Sequence, residues 1–168
     1  NSYKINIFHY LFGSPCYMVN PSGKIIISIK KEYLMSKIIT TSDRLIIREK
    51  AIEDSEFILQ HYNEPLFIKN IADKKIYTLE DAKQFLISGP IKSYQENGFG
   101  MFLIVLKDSN TPIGSCGLMK RDNTDDIDLG YALMSDYHKQ GYVLEAAKAV
   151  LAFAKNEIKL THILGYTT

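Results

Sequence analysis

The chain has 168 residues, enough for one domain with a buried core. Hydrophobic residues make up 46% and charged residues 23%, globular proportions that exclude a disordered or fibrous chain. A net charge of +1 is too balanced to argue for the clustered basic surface with which proteins coat nucleic acid, and no apolar run reaches the roughly 18 residues that cross a bilayer.

The chain opens on Asn1, and its most readable pattern begins just after Met35. Residues 1–34 are therefore expected to be an N-terminal extension, and residues 35–168 one domain. Within the extension, the apolar stretch at 5–12 is broken by Asn6 and His9 and lacks the basic flank and small-residue cleavage site of a secretory leader. The run Ile25, Ile26, Ile27, Ser28, Ile29 has the β-branched composition of a strand.

Residues 44–48 (Arg-Leu-Ile-Ile-Arg) predict the first strand of the domain. A helix is predicted over 52–62, with Ile52, Phe57, Ile58 and His61 at helical spacing and Glu53, Asp54 and Glu56 in its first turn. Pro65 is expected to close that region. Thr78 and Asp81 have the spacing of a capping box ahead of the apolar stripe Ala82, Phe85 and Leu86. Gly89-Pro90 should kink or end this second helix, which resumes over 91–94.

A β meander follows, with strands predicted at 101–106, 112–120 and 127–134 and polar turns at 107–110 and 121–125. On the third strand, alternation places Ile127, Leu129, Tyr131 and Leu133 on one face and Asp128, Gly130, Ala132 and Met134 on the other. A long helix over 142–156 carries Val143, Ala146, Ala147, Val150, Leu151 and Ala154 at the 3.6-residue period. A short strand at 163–166 ends the pattern, and its free edge is a template for strand pairing.

The junction of the third meander strand with the long helix is the chemically informative segment. A strand leading through a tight, glycine-containing loop into a helix aims several unpaired backbone N–H groups one way, and the helix dipole adds about half a positive charge. Gly141 lets the backbone approach phosphate oxygens, and Lys139 adds a charge. Such a turn suits a pyrophosphate. A plain loop is the competing reading of one glycine at such a place.

Four segments in order then carry a resemblance: residues 42–48, 98–105, 112–118, and Asp128-Leu129-Gly130-Tyr131 followed by Gly141-Tyr142 and Glu145-Ala146. Residues 41–168 resemble the GCN5-related N-acetyltransferases, in particular the branch that acetylates ribosomal-protein N-termini. The family's pyrophosphate loop, Gln/Arg-x-x-Gly-x-Gly/Ala, falls here on His138, Gly141 and Val143, and Lys139 stands where this branch often has glycine. The resemblance implies an α/β fold, a mostly antiparallel mixed sheet flanked by helices. It implies transfer of an acetyl group from the co-substrate acetyl-CoA to a primary amine, on a protein N-terminus or a small molecule. Leu133, Met134, His138, Lys139, Gln140, Gly141, Tyr142, Val143 and Leu144 would then hold acetyl-CoA, with backbone N–H groups of the strand holding the thioester carbonyl. Asp128 would accept the proton of the amine.

Alternatives stay open for single residues: Asp128 as a solvated strand carboxylate, His138 as a surface-loop histidine, and Tyr131 as core packing rather than chemistry. Cys16 and Cys116 form no metal-ligand or redox motif, so they are expected to be reduced thiols in a cytoplasmic protein. The acidic residues Asp122, Asp125, Asp126 and Asp128 lack the glycine and terminal glutamate of a calcium loop, and no metal, nucleic-acid or membrane partner is expected. Family members continue past the last strand, so the chain is expected to lack C-terminal elements of the fold. Two rival readings follow: a non-catalytic CoA-binding or interaction module, and a shortened product whose sheet is completed by another chain, for instance in a homodimer.

Overall fold

The computed structural model describes residues 17–19, 25–27, 36–120 and 126–165. The stretch at 5–12, Cys16, Ser28, Ile29, the polar turn at 121–125 and Tyr166 lie outside them. The chain divides into two compact units, Asn1–Met35 and Ser36–Thr168. In the first, β1 (Tyr17–Val19) pairs antiparallel with β2 (Ile25–Ile27), within the β-branched run.

The second unit opens with β3 (Ile38–Thr41), which the sequence reading passed over, and β4 (Leu45–Arg48). A 3-10 turn, Ile52–Asp54, leads into α1 (Ser55–Tyr62). Asp54 fixes that entry: its carboxylate takes two hydrogen bonds from Arg48, at 2.7 and 2.8 Å, and one from the Ala51 N–H at 2.8 Å. Pro65 does not merely end a helix. It opens α2 (Pro65–Asn70) from the first helical position, where a missing N–H leaves no bond unmade. The capping box at Thr78 holds, with the Asp81 N–H donating to Oγ1 of Thr78 at 3.1 Å and the Thr78 N–H donating to the Asp81 carboxylate at 2.9 Å. It starts α3 (Leu79–Leu86).

The helix then absorbs Gly89-Pro90 by widening into a π turn, Ile87–Ile91, and continues as α4 (Lys92–Asn97). Gly98, at φ 75°, caps it in the left-handed conformation. The meander is β5 (Met101–Leu106), β6 (Pro112–Lys120) and β7 (Ile127–Leu133). After a 3-10 turn, Ser135–Tyr137, comes α5 (Tyr142–Phe153), prolonged by a π turn to Ile158.

The sheet runs β3-β4-β5-β6-β7, with every neighbour antiparallel. One parallel bridge, Asp128 to Leu164, adds the mixed character, so the expected α/β architecture stands. The strand expected at 163–166 is that single bridge among the described residues.

Residues directly paired across strands share a face. On one face Leu45, Ile47, Phe102, Ile104, Cys116 and Leu118 form a core with Ala146 and Val150 of α5 and Ala154 of the π turn after it. On the other, Ala132 packs against the core of α1–α3 built from Ile58, Tyr62, Phe67, Ala82 and Leu86. The alternation read for β7 holds, since Cys116 pairs with Tyr131 while Ser115 pairs with Ala132 and Met119 with Asp128. Tyr131 departs from expectation. The residue is 56% exposed rather than packed inside the core.

Candidate acetyl-transfer site

A cavity of about 720 Å³ lies over the helix-covered face that carries Asp128. Tyr62, Phe67 and Phe85 wall it from the helices, Ser115, Asp128 and Ala132 line it from the sheet, and Leu133, His138 and Val143 carry it to the start of α5. Gly130 keeps room beside Asp128, because a Cβ there would stand 2.6 Å from Cε of Met119. Asp128 itself is 3% exposed. It is not a solvated strand carboxylate.

Strand geometry decides which β7 amides face outward. The N–H of Met134 donates to the Ile113 carbonyl on β6 at 2.9 Å, whereas the N–H of Leu129 donates away from β6, to Leu164, at 3.0 Å. Since N–H groups alternate along an antiparallel strand, those of Tyr131 and Leu133 point the same way as that of Leu129. The Met134 N–H is therefore taken up by β6. The N–H groups of Leu133 and Tyr131 both point away from β6, and Tyr131 is not among the expected cofactor contacts.

The loop before α5 bends through two left-handed residues, Lys139 at φ 60° and Gly141 at φ 83°. That conformation explains why glycine suits position 139, where a side chain is strained. No side chain caps α5, and its first intrahelical bond is from the Glu145 N–H to the Gly141 carbonyl at 3.1 Å. The N–H groups of Tyr142, Val143 and Leu144 precede that bond and have no intrahelical acceptor. His138 is engaged elsewhere: its N–H donates to Ser135 at 3.1 Å, and Nε2 lies 3.1 Å from the Leu133 carbonyl oxygen. Gln140 donates through Nε2 to the Asp136 carbonyl at 3.0 Å, which ties the loop together. Both side chains brace the bend.

Three residues outside the expected set hold this loop against the turn between β3 and β4. The Ser42 hydroxyl and the Arg44 N–H donate to Oε1 of Glu145 at 2.7 and 2.8 Å, and Nε of Arg44 donates to Oε2 at 2.7 Å. Burial works against the Glu145 carboxylate, yet these donors and the Arg44 charge hold it below the usual range. Both Nη groups of Arg44 reach the Gln140 carbonyl at 3.2 Å, and the guanidinium lies 4.3 Å from the centroid of the Tyr142 ring.

A family model described as "Acetyltransferase (GNAT) domain" matches residues 44–168. The chain belongs to the GNAT acetyltransferase family. It is accordingly an enzyme whose reaction moves an acetyl group from acetyl-CoA to a primary amine. An N-acetyltransferase of Bacillus subtilis, YnaD, is 27% identical over 125 residues, which cover 74% of this chain and 70% of the relative. A GNAT acetyltransferase structure from Bacillus anthracis superposes with TM-score 0.62 at 25% identity, covering 75% of this chain and 71% of that one. The same fold, at TM-score 0.60 and 16% identity over 70% of this chain and 67% of the other, occurs in RimL, a ribosomal L7/L12 α-N-protein acetyltransferase solved in complex with coenzyme A.

Within this GNAT domain, the sequence-predicted residues fall into one connected region, with Asp128, Leu133, His138 and Val143 on a single cavity. Sequence reasoning missed Ser42, Arg44 and Glu145 as a unit, although each sits in one of the ordered segments that carried the resemblance. It also missed a buried polar group beside the cavity: Lys50, His61 and Ser115, all at most 2% exposed. Among the described residues, no well-formed hydrogen bond reaches the Lys50 Nζ, the His61 ring nitrogens or the Ser115 hydroxyl; a Glu64 carboxylate oxygen lies 3.8 Å from His61 Nδ1, and Ser115 adjoins the Tyr62 hydroxyl. Burial lowers the Lys50 amine to about 7 against the pull of Asp54, and burial with the Lys50 charge lowers His61 to about 4. Burial pushes the Tyr62 hydroxyl up, and Ser115 beside it partly offsets that. No periodicity marks such a cluster in advance, because its members come from separate elements. Among the described residues no group of three or more His, Cys, Asp or Glu side chains is arranged to hold a metal ion, and no helix is long and apolar enough to cross a membrane.

Proposed function

We propose that the cavity between α1–α3 and the sheet receives the acceptor amine, and that acetyl-CoA approaches from the β7–α5 junction. The observation that carries this reading is that one cavity holds a buried carboxylate, Asp128, and also reaches Val143 in the first turn of α5. Acetyl-CoA supplies the acyl thioester. The N–H groups of Gly141, Tyr142, Val143 and Leu144 suit its pyrophosphate, with Lys139 adding charge at the bend. The outward N–H groups of Tyr131 and Leu133 suit the thioester carbonyl and the oxyanion that develops on it.

The amine arrives protonated, so a base must take one proton before the nitrogen lone pair attacks the carbonyl carbon; the carbon–sulfur bond then breaks, and the second nitrogen proton passes to the departing thiolate to leave the neutral amide and the thiol. Asp128 lies three residues from Tyr131, roughly 10 Å along an extended strand. Water in the cavity therefore links the carboxylate to the attacking nitrogen. The acceptor is a protein N-terminus or a small amine, and the enzyme works in the cytoplasm. Residues 35–168 form the transferase, with 1–34 as an extension.

Titration calorimetry with coenzyme A and steady-state kinetics on a panel of amines test the assignment. Asp128→Asn is expected to lower kcat by about 10²–10⁴-fold while leaving coenzyme A affinity within twofold. Unchanged kcat would remove Asp128 from the mechanism, and absence of coenzyme A binding by the wild-type protein would remove the whole reading.

A further inference from the structure

We propose that Arg44 is a positioning residue for acetyl-CoA, because its hold on the Gln140 carbonyl sets the direction of the Gly141 N–H. The inference rests on the assignment of the α5 loop to the pyrophosphate. Its basis is the planarity of the peptide unit. In a trans peptide the C=O of one residue and the N–H of the next point in opposite directions. Both Nη groups of Arg44 donate to the Gln140 oxygen at 3.2 Å, so the Gly141 N–H is turned away from Arg44. Rotation of that peptide would bring the carbonyl dipole, rather than a donor, to the bound anion.

The bend needs an external brace of this kind. It passes through two left-handed residues, Lys139 and Gly141, and glycine by itself tolerates several peptide orientations at little cost. Helix capping supplies no brace, since no side chain caps α5. Arg44 is in turn immobilised. Its Nε and Nη2 both lie 2.7 Å from Oε2 of Glu145, and its plane lies against Tyr142 at 4.3 Å. Ser42 and the Arg44 N–H occupy the other carboxylate oxygen.

The arrangement also disposes of a charge conflict. Glu145 stands in the first turn of α5, close to where two phosphates would bind, and would repel them if unpaired. Arg44 and Ser42 direct its charge toward the turn between β3 and β4. The side chain of Arg44 is still 47% exposed, so the ion pair stays at the surface, and its value to overall stability is small. Its consequence is orientation.

Lysine keeps the charge of arginine but cannot span the Glu145 carboxylate and the Gln140 carbonyl with a planar fork. Arg44→Lys is therefore expected to raise KM for acetyl-CoA and Kd for coenzyme A about tenfold or more, with kcat changed less than threefold. The same variant should turn over S-acetyl-pantetheine, which has no pyrophosphate, with the wild-type kcat/KM. Amide hydrogen exchange at 139–142 in the ligand-free protein should quicken while the core of the sheet keeps its protection. Equal losses with acetyl-CoA and S-acetyl-pantetheine would mean that Arg44 acts only through general stability. Wild-type affinity for coenzyme A in Arg44→Lys would overturn the inference and leave the loop assignment standing. If the wild-type protein fails to bind coenzyme A, it is the loop assignment that falls.

Discussion

Buried Lys50 shows how a single side chain can govern pH response. Its ordinary value of 10.5 falls to about 7 in the folded chain, so between those limits the unfolded state binds more protons than the folded one. Stability must then rise with pH across that window, and the penalty is full below about pH 7, on the order of 5 kcal/mol. His61, lowered from 6.5 to about 4 with Lys50 and Glu64 as its charged neighbours, adds a second rise between pH 4 and 6.5. Urea unfolding from pH 4 to 10 should show both limbs, and Lys50→Met should be more stable than wild type at pH 6 and lose the upper limb. An upper limb that persists in Lys50→Met would assign it to another group. Lys139 is the second case. Its φ of 60° strains a side chain that glycine would relieve, so Lys139→Gly should raise the unfolding midpoint by the equivalent of about 1 kcal/mol.

At the scale of elements, close strand approach depends on where glycine stands. A Cβ on Gly117 would lie 2.1 Å from the Gly100 carbonyl oxygen and 2.7 Å from the Met101 Cα, both backbone atoms that cannot step aside. A Cβ on Gly130 would meet the tip of Met119, a flexible side chain that can turn away. Gly117→Ala is expected to cost about 3 kcal/mol or more, and Gly130→Ala about 1 kcal/mol or less. Comparable losses in calorimetric melting of the two variants would contradict this account. Helix signals were legible at the same scale. Thr78 and Asp81 announce the start of α3, and the alternation of β7 put Asp128 on the correct face. Pro65 was read only as a stop, because proline both halts a helix that reaches it and suits the first position of a helix that starts at it, and local pattern does not separate the two. The strand Ile38–Thr41 has an edge position and only four residues, too few for a periodic signal.

For the whole molecule, every residue assigned to transfer belongs to the unit Ser36–Thr168. A chain beginning at Met35 should therefore melt in one transition and bind coenzyme A within twofold of the full chain. Loss of binding in a folded Met35 variant would give the first 34 residues a part in the site. Pattern within the sequence determined most of the element types, the sheet-then-helix junction and the family, because hydrophobic period, caps and ordered segments are local properties of the chain. Tertiary structure alone decided which amides of β7 face outward, that Asp128 is buried in the cavity, and that Ser42 and Arg44 reach Glu145 across the fold. Those facts depend on strand pairing and on contacts between distant segments, where no spacing along the chain reports how close two side chains come.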